Sequence, residues 1–334
     1  MSLSIEVNES KCREIAGAIS PLKLRNEFYQ REYLTLKAAD ELRFSMHFFA
    51  VAICHHTYNL YHRELQLYGW DFIEHVFVNL AKADHRLLQI DFLAKTGNGE
   101  IAALLCREFS TGRDMQSCTL DRLDERAELM KDAAVKIHER FSGSVQKIIQ
   151  CANHMLIDRG NGLYETLPQF EAYADPQQKK STFLIKLLIE AGLLRIDDPQ
   201  HFIPIMDYHM QRVLLRTGCV EITDEALRER LTNREPLQSD EPVRSACIEA
   251  FRIIAARSEH PVIKLNDFFW SLGRSCCNED LLCQTGHCGK SPCTFEQIIE
   301  LKSHHKCIFE VVCKGSFRES YRALWQPVVR THYY

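Results

Sequence analysis

The sequence predicts an all-α protein with a cysteine-rich metal or cluster loop near its C-terminus. Apolar residues recur mostly at three- and four-residue intervals, whereas the alternating runs that mark half-buried strands are scarce. Hydrophobic residues make up 46% of 334, enough for one large core or two smaller ones. Of fourteen cysteines, seven fall between Cys276 and Cys313.

Taken in order, helices are expected over 40–54, 71–82, 119–140, 143–155, 178–192, 206–216, 241–257 and 261–272. Thr119, followed by acidic residues, reads as a start signal for the third, and Ser144 for the fourth. Ser239-Asp-Glu-Pro opens the 241–257 stretch in the same way. Polar, Gly and Pro residues cluster at 159–165, 197–204 and 232–242, which read as breaks. Residues 1–40 read as a helical extension, 41–272 as the helical core and 273–334 as the cysteine loop with a tail. No repeat of solenoid period and no low-complexity tract interrupts this order.

A formal charge of −4 gives no bulk attraction for phosphate, so nucleic-acid binding would need a local basic face. The opening MSLSIEVNESKCREIAG lacks a basic start followed by an apolar run, and no window offers about eighteen uncharged apolar residues. A soluble cytoplasmic monomer without a membrane segment is the expectation. Cys12, Cys54, Cys106, Cys118, Cys151, Cys219 and Cys247 are then expected to be reduced and buried.

The C-terminal cysteines are Cys276, Cys277, Cys283, Cys288, Cys293, Cys307 and Cys313, and four or more could converge on one centre. Thiolates this dense suit zinc or an iron–sulfur cluster, not magnesium or calcium.

Residues 203–221, IPIMDYHMQRVLLRTGCVE, place an Asp after a Pro-containing extended lead and before a helix ending Arg-Thr-Gly. This block resembles the catalytic segment of the helix-hairpin-helix DNA glycosylase superfamily through Asp207, His209, Arg212, Arg216 and Gly218. Residues 48–77 and 179–192 are similar to core helices of its archaeal 8-oxoguanine glycosylase branch. The cysteine loop resembles the iron–sulfur loop of endonuclease III-type enzymes, with Cys276-x6-Cys283 and Cys307-x5-Cys313 matching the outer pairs. Here the usual two-residue gap is replaced by an insert carrying Cys288 and Cys293, which leaves the ligand set open. The chain also lacks the Gly-x-Gly hairpin that grips a DNA phosphate: Gly192 is the single glycine between Lys179 and Asp207.

The resemblance implies a two-lobed helical glycosylase fold with the active site between the lobes, a 4Fe-4S cluster (zinc as the alternative), and DNA carrying a modified or oxidised purine as partner, which would put the protein at the nucleoid. Asp207 would steady the sugar cation as the base departs, and Lys179 or Lys180 would attack C1′ to leave a Schiff base, the AP lyase chemistry. Lys186 lies one helix face further on. His55, His56, Tyr58, Trp70 and His209 are the candidate readers of an extruded base. Arg274, Lys290, Lys302, Lys306 and Lys314 could meet phosphates near the cluster.

Each residue also has a plain structural role to weigh. Asp207 is a good helix N-cap, lysines at a helix start are usually solvated, and His55, His56 and Trp70 sit in an aromatic-rich segment that could simply be core. Two other functions fit the sequence: a nucleotide N-glycosidase resembling queuosine-salvage hydrolases, and a metal-stapled nucleic-acid-binding protein without catalysis.

Overall fold

Helical periodicity is realised as helix almost throughout the computed structural model, which describes residues 5–25, 31–112, 114–290, 293–301 and 304–334. The chain forms two compact units, Met1–Phe28 with Ile203–Arg330, and Tyr29–Phe202 with the last residues Thr331–Tyr334. The segment 41–272, read from the sequence as one core, is shared between them, and the N-terminal residues join the second half of the chain.

In the unit containing both Met1 and Ile203, helix Glu9–Ile19 buries Cys12, Ile15, Ala16 and Ile19, a stripe at helical spacing, against Glu241–Ser258. Asn8 caps it, its side-chain oxygen accepting from Lys11 N at 2.9 Å. Strand Ile5–Val7 pairs antiparallel with Val220–Ile222, setting Ile5 opposite Ile222 and Val7 opposite Val220. Helices Tyr208–Thr217 and Val262–Arg274 pack closely because Gly273 has no side chain: a Cβ there would lie 2.5 Å from His209 O. Phe268 meets Phe269, Phe295 and Phe309 at ring separations of 5.1–5.9 Å, and burying each such ring contributes about 1.5–3 kcal/mol.

In the other unit, helix Asp40–Ala52 is the axis. Every residue from Phe44 to Ala52 is buried, the pattern of a helix surrounded on all sides. Around it pack Trp70–Lys82, Val145–Cys151 and Lys179–Glu190, while Leu123–Arg140 lies along Ile90–Lys95 and Asn98–Glu108. Ser144 caps as expected, accepting from Lys147 N at 3.2 Å and donating to Glu41 at 2.6 Å. The helix ends at Cys151, because Asn153 and His154 take left-handed backbone angles of 49° and 62°. Thr119 starts no helix: its hydroxyl accepts from Tyr61 N at 3.0 Å and donates to Tyr61 O at 2.8 Å, and the helix begins at Leu123. Among the described residues no helix is long and apolar enough to cross a membrane.

Candidate functional site

The loop after Val262–Arg274 brings four donors together. Cys276 Sγ lies 3.7 Å from Cys293 Sγ and 3.5 Å from His304 Nε2, and with Cys288 all four donor atoms fall within 4.8 Å of one another. These residues could hold a metal ion. Cys293 immediately precedes the 3-10 turn Thr294–Gln297, and the loop is pinned by Thr294 N donating to Ser275 Oγ at 3.1 Å. The Cys276 thiol hydrogen-bonds Cys293 and draws it down to about 5, helped by the amides of Glu296 and Phe295; the same bond pushes Cys276 up. One proton is thus shared where a cation would replace it. Glu296 Oε1 sits 2.8 Å from His304 Nδ1, on the side of the ring away from Nε2, which faces Cys276.

The ligand set differs from the pairing suggested by the spacing. Cys288 and Cys293 of the insert join Cys276, while Cys277, Cys283, Cys307 and Cys313 lie outside this compact group. His304 was not among the sequence candidates. Its only signal was position, in the short His304-His305-Lys306-Cys307 run among the cysteines.

The helix Tyr208–Thr217 serves this loop structurally. Arg212, 1% exposed, donates to Cys277 O (3.0 Å), Gly273 O (2.7 Å), Asn278 Oδ1 (3.0 Å) and Gln326 Oε1 (2.6 Å), with Trp325 under its guanidinium at 4.4 Å. Arg216 donates to Leu324 O (3.0 Å), Cys277 O (3.1 Å) and Asn278 O (2.8 Å). Gly218 ends the helix at φ 81°, where a Cβ would meet Lys314 Cδ at 2.5 Å. Asp207 is the N-cap, accepting from Met210 N at 3.0 Å, and is largely buried. His209 Nδ1 is 3.1 Å from Arg212 Nη2; burial, with Arg212 and Arg274 adding, holds it well below the usual histidine range.

The lysines lie in the other unit and are buried, against the ordinary expectation for a helix start. Lys180, fully buried, donates to Ala52 O at 2.6 Å and lies 3.5 Å from His55 Nδ1. Arg126 meets the same helix end through Ile53 O and His55 O, so two cations face the negative end of Asp40–Ala52. Burial first, then Lys179 and Arg126, draw Lys180 down to about 7, although Cys54 and Glu125 pull the other way. His55 is kept neutral by burial and by Lys180, with its Nε2 3.3 Å from Glu125 Oε1. Lys179 Nζ lies 3.9 Å from Cys54 Sγ and 5.2 Å from the Phe183 ring centre. Lys186 is buried and pairs with Glu190.

Of the expected base readers, only Tyr58 is strongly exposed, at 67%. His56 anchors the C-terminal tail: its Nε2 accepts from Thr331 N at 3.3 Å and its amide donates to Tyr334 O at 3.2 Å. Trp70 donates to Glu74 at 2.6 Å and packs on Tyr33 and Phe183. Of the candidate phosphate contacts, Lys314 bonds Glu221 and Tyr321, Arg274 lies over Trp270, and Lys302 falls outside the described residues.

No protein-family model matches this chain, and no curated protein matches it.

Proposed function

We propose that the chain is an N-glycosidase of helix-hairpin-helix DNA glycosylase type, removing a modified or oxidised purine from DNA, with Lys180 as its amine. The observation that carries this is the burial of Lys180 at the end of Asp40–Ala52, which lowers its ammonium to about 7 and leaves roughly half of it as the free amine at neutral pH. In the reaction the Nζ lone pair forms a bond to C1′ while the glycosidic bond breaks, its electron pair and a proton leaving with the base. The C1′–O4′ bond then breaks as the nitrogen lone pair forms the C=N bond, and the remaining amine proton passes to O4′, giving the ring-opened Schiff base. Because Lys180 is fully buried, attack requires local opening. The nearby tail is tied down by Arg122 to Thr331 O at 2.8 Å, by His56, and by His332 near Glu171 O at 3.1 Å, and its release is part of the proposal.

We further propose zinc for the compact donor set. Tetrahedral zinc, at about 2.3 Å to sulfur and about 2.0 Å to nitrogen, sets S···S edges of about 3.8 Å and S···N edges of about 3.5 Å. The observed separations of 3.7 and 3.5 Å fit those edges. An iron–sulfur cube binds each ligand to a different iron and spreads them wider.

A second function is favoured by a specific observation: Asp207, Arg212 and Arg216 all serve the fold, as they would in a metal-stapled nucleic-acid-binding protein without catalysis.

Borohydride trapping on an oligonucleotide with an oxidised purine separates these. Covalent trapping is expected in the unaltered protein and in Lys179→Ala, and its loss in Lys180→Met. Base release without trapping replaces the amine by a water. Activity on free nucleotides alone makes the protein a nucleotide hydrolase, and inactivity on both substrates sinks the enzyme proposal.

A further inference from the structure

Four cysteines of the loop remain once the compact set is filled: Cys277, Cys283, Cys307 and Cys313. They are not scattered. Cys277 Sγ lies 3.7 Å from Arg216 Nη1, and Cys313 Sγ lies 3.5 Å from Arg216 O, so one residue touches both thiols. The Ser316 hydroxyl neighbours both Cys283 and Cys313. Cys307 is close enough to feel charge on Cys277, Cys313 and Cys283 together. Cys276 and Cys277 are adjacent yet reach different partners: Cys276 reaches Cys293 and His304 while Cys277 reaches Arg216.

The loop also needs more than one fastening. Between Ser275 and Cys313 the described residues form a helix of four residues, Leu282–Thr285, and the 3-10 turn Thr294–Gln297. Elements this short do not hold themselves, and metal coordination is the usual substitute. A purely apolar filling would not call for two thiols on one buried arginine with two more thiols beside them.

We propose that Cys277, Cys283, Cys307 and Cys313 form a second centre, distinct from Cys276–Cys288–Cys293–His304, that holds a thiophilic metal through four thiolates. The seven loop cysteines and His304 then divide into two sets of four with none left over. Among the described residues, this second set is not drawn within 4.8 Å as the first is, so its occupant is either a zinc ion that pulls the thiols together or an iron–sulfur cluster that accepts their wider spacing. This centre stands whether or not the chain cleaves glycosidic bonds.

The test is metal and acid-labile sulfide content, with native mass spectrometry, of the full chain purified without oxygen. Two zinc ions per chain, or one zinc together with iron and sulfide, is the expected result. A Cys283→Ser, Cys307→Ser double variant should lose only one centre, and a Cys288→Ser, His304→Ala double variant only the other. Should either variant fail to fold, X-ray absorption on the unaltered protein decides. Two zinc sites give an average shell of about seven sulfurs to one nitrogen, the compact site alone gives about three to one, and a cluster shows as sulfur-bound iron. A single metal per chain at saturation, or full metal content retained in the folded Cys283→Ser, Cys307→Ser protein, overturns the proposal.

Discussion

Replacing Lys180 with Met removes a buried amine whose protonation opposes folding. In the unfolded chain the group titrates at its ordinary 10.5, and in the folded chain at about 7. Between those values the unfolded state binds more protons, so stability contributed at this site rises with pH, by about 1.4 kcal/mol per unit. Below 7 both states are protonated and the full cost of roughly 5 kcal/mol is present; above 10.5 it is gone. Between pH 6 and pH 9 the advantage of Lys180→Met over the unaltered protein should therefore shrink by roughly 3 kcal/mol, offset at every pH by about 1 kcal/mol for the lost bond to Ala52 O. His55 is held neutral in the fold, so its own effect is confined to pH values below its ordinary 6.5 and only sharpens the acid side. Urea unfolding of both proteins at each pH, followed by a probe in the Tyr29–Phe202 unit, gives the difference directly. Two parallel stability curves would show that the amine stays protonated in the fold, and the chemical argument for Lys180 would go with it.

Removing the carboxylate behind the metal-facing histidine should weaken the compact site. Glu296→Gln is expected to lower metal affinity about 10–100-fold in competition with a chelating dye, and unchanged affinity would mean that His304 is not a ligand. Gly273→Ala should cost about 2–3 kcal/mol in urea unfolding, because its Cβ meets the His209 backbone and two helices must part. Gly17→Ala, exposed in Glu9–Ile19 with nothing within 4 Å, should instead stabilise by up to about 1 kcal/mol. Equal effects at the two glycines would remove the close approach of Tyr208–Thr217 to Val262–Arg274 as an explanation.

Local rules made much of the secondary structure readable. The apolar period locates Asp40–Ala52, Trp70–Lys82, Lys179–Glu190, Tyr208–Thr217 and Glu241–Ser258, and Ser144 and Asp207 mark starts because a side-chain oxygen meets the free amides three residues on. Short or weakly marked elements escaped. Asn98–Glu108 opens on Asn-Gly, a poor helix start, and Ile5–Val7 is a strand only because Val220–Ile222 lies beside it.

The sequence by itself determined that the chain is helical and that its C-terminal thiols gather, because period and composition act within a few turns of backbone. Only the tertiary structure decided that His304 faces Cys276, that Lys180 is sealed against the end of Asp40–Ala52, and that Arg212 and Arg216 grip loop carbonyls. Each of these depends on groups far apart in sequence being brought within a few ångströms, and on how much water the surrounding packing excludes. Neither quantity is written in any local stretch of residues.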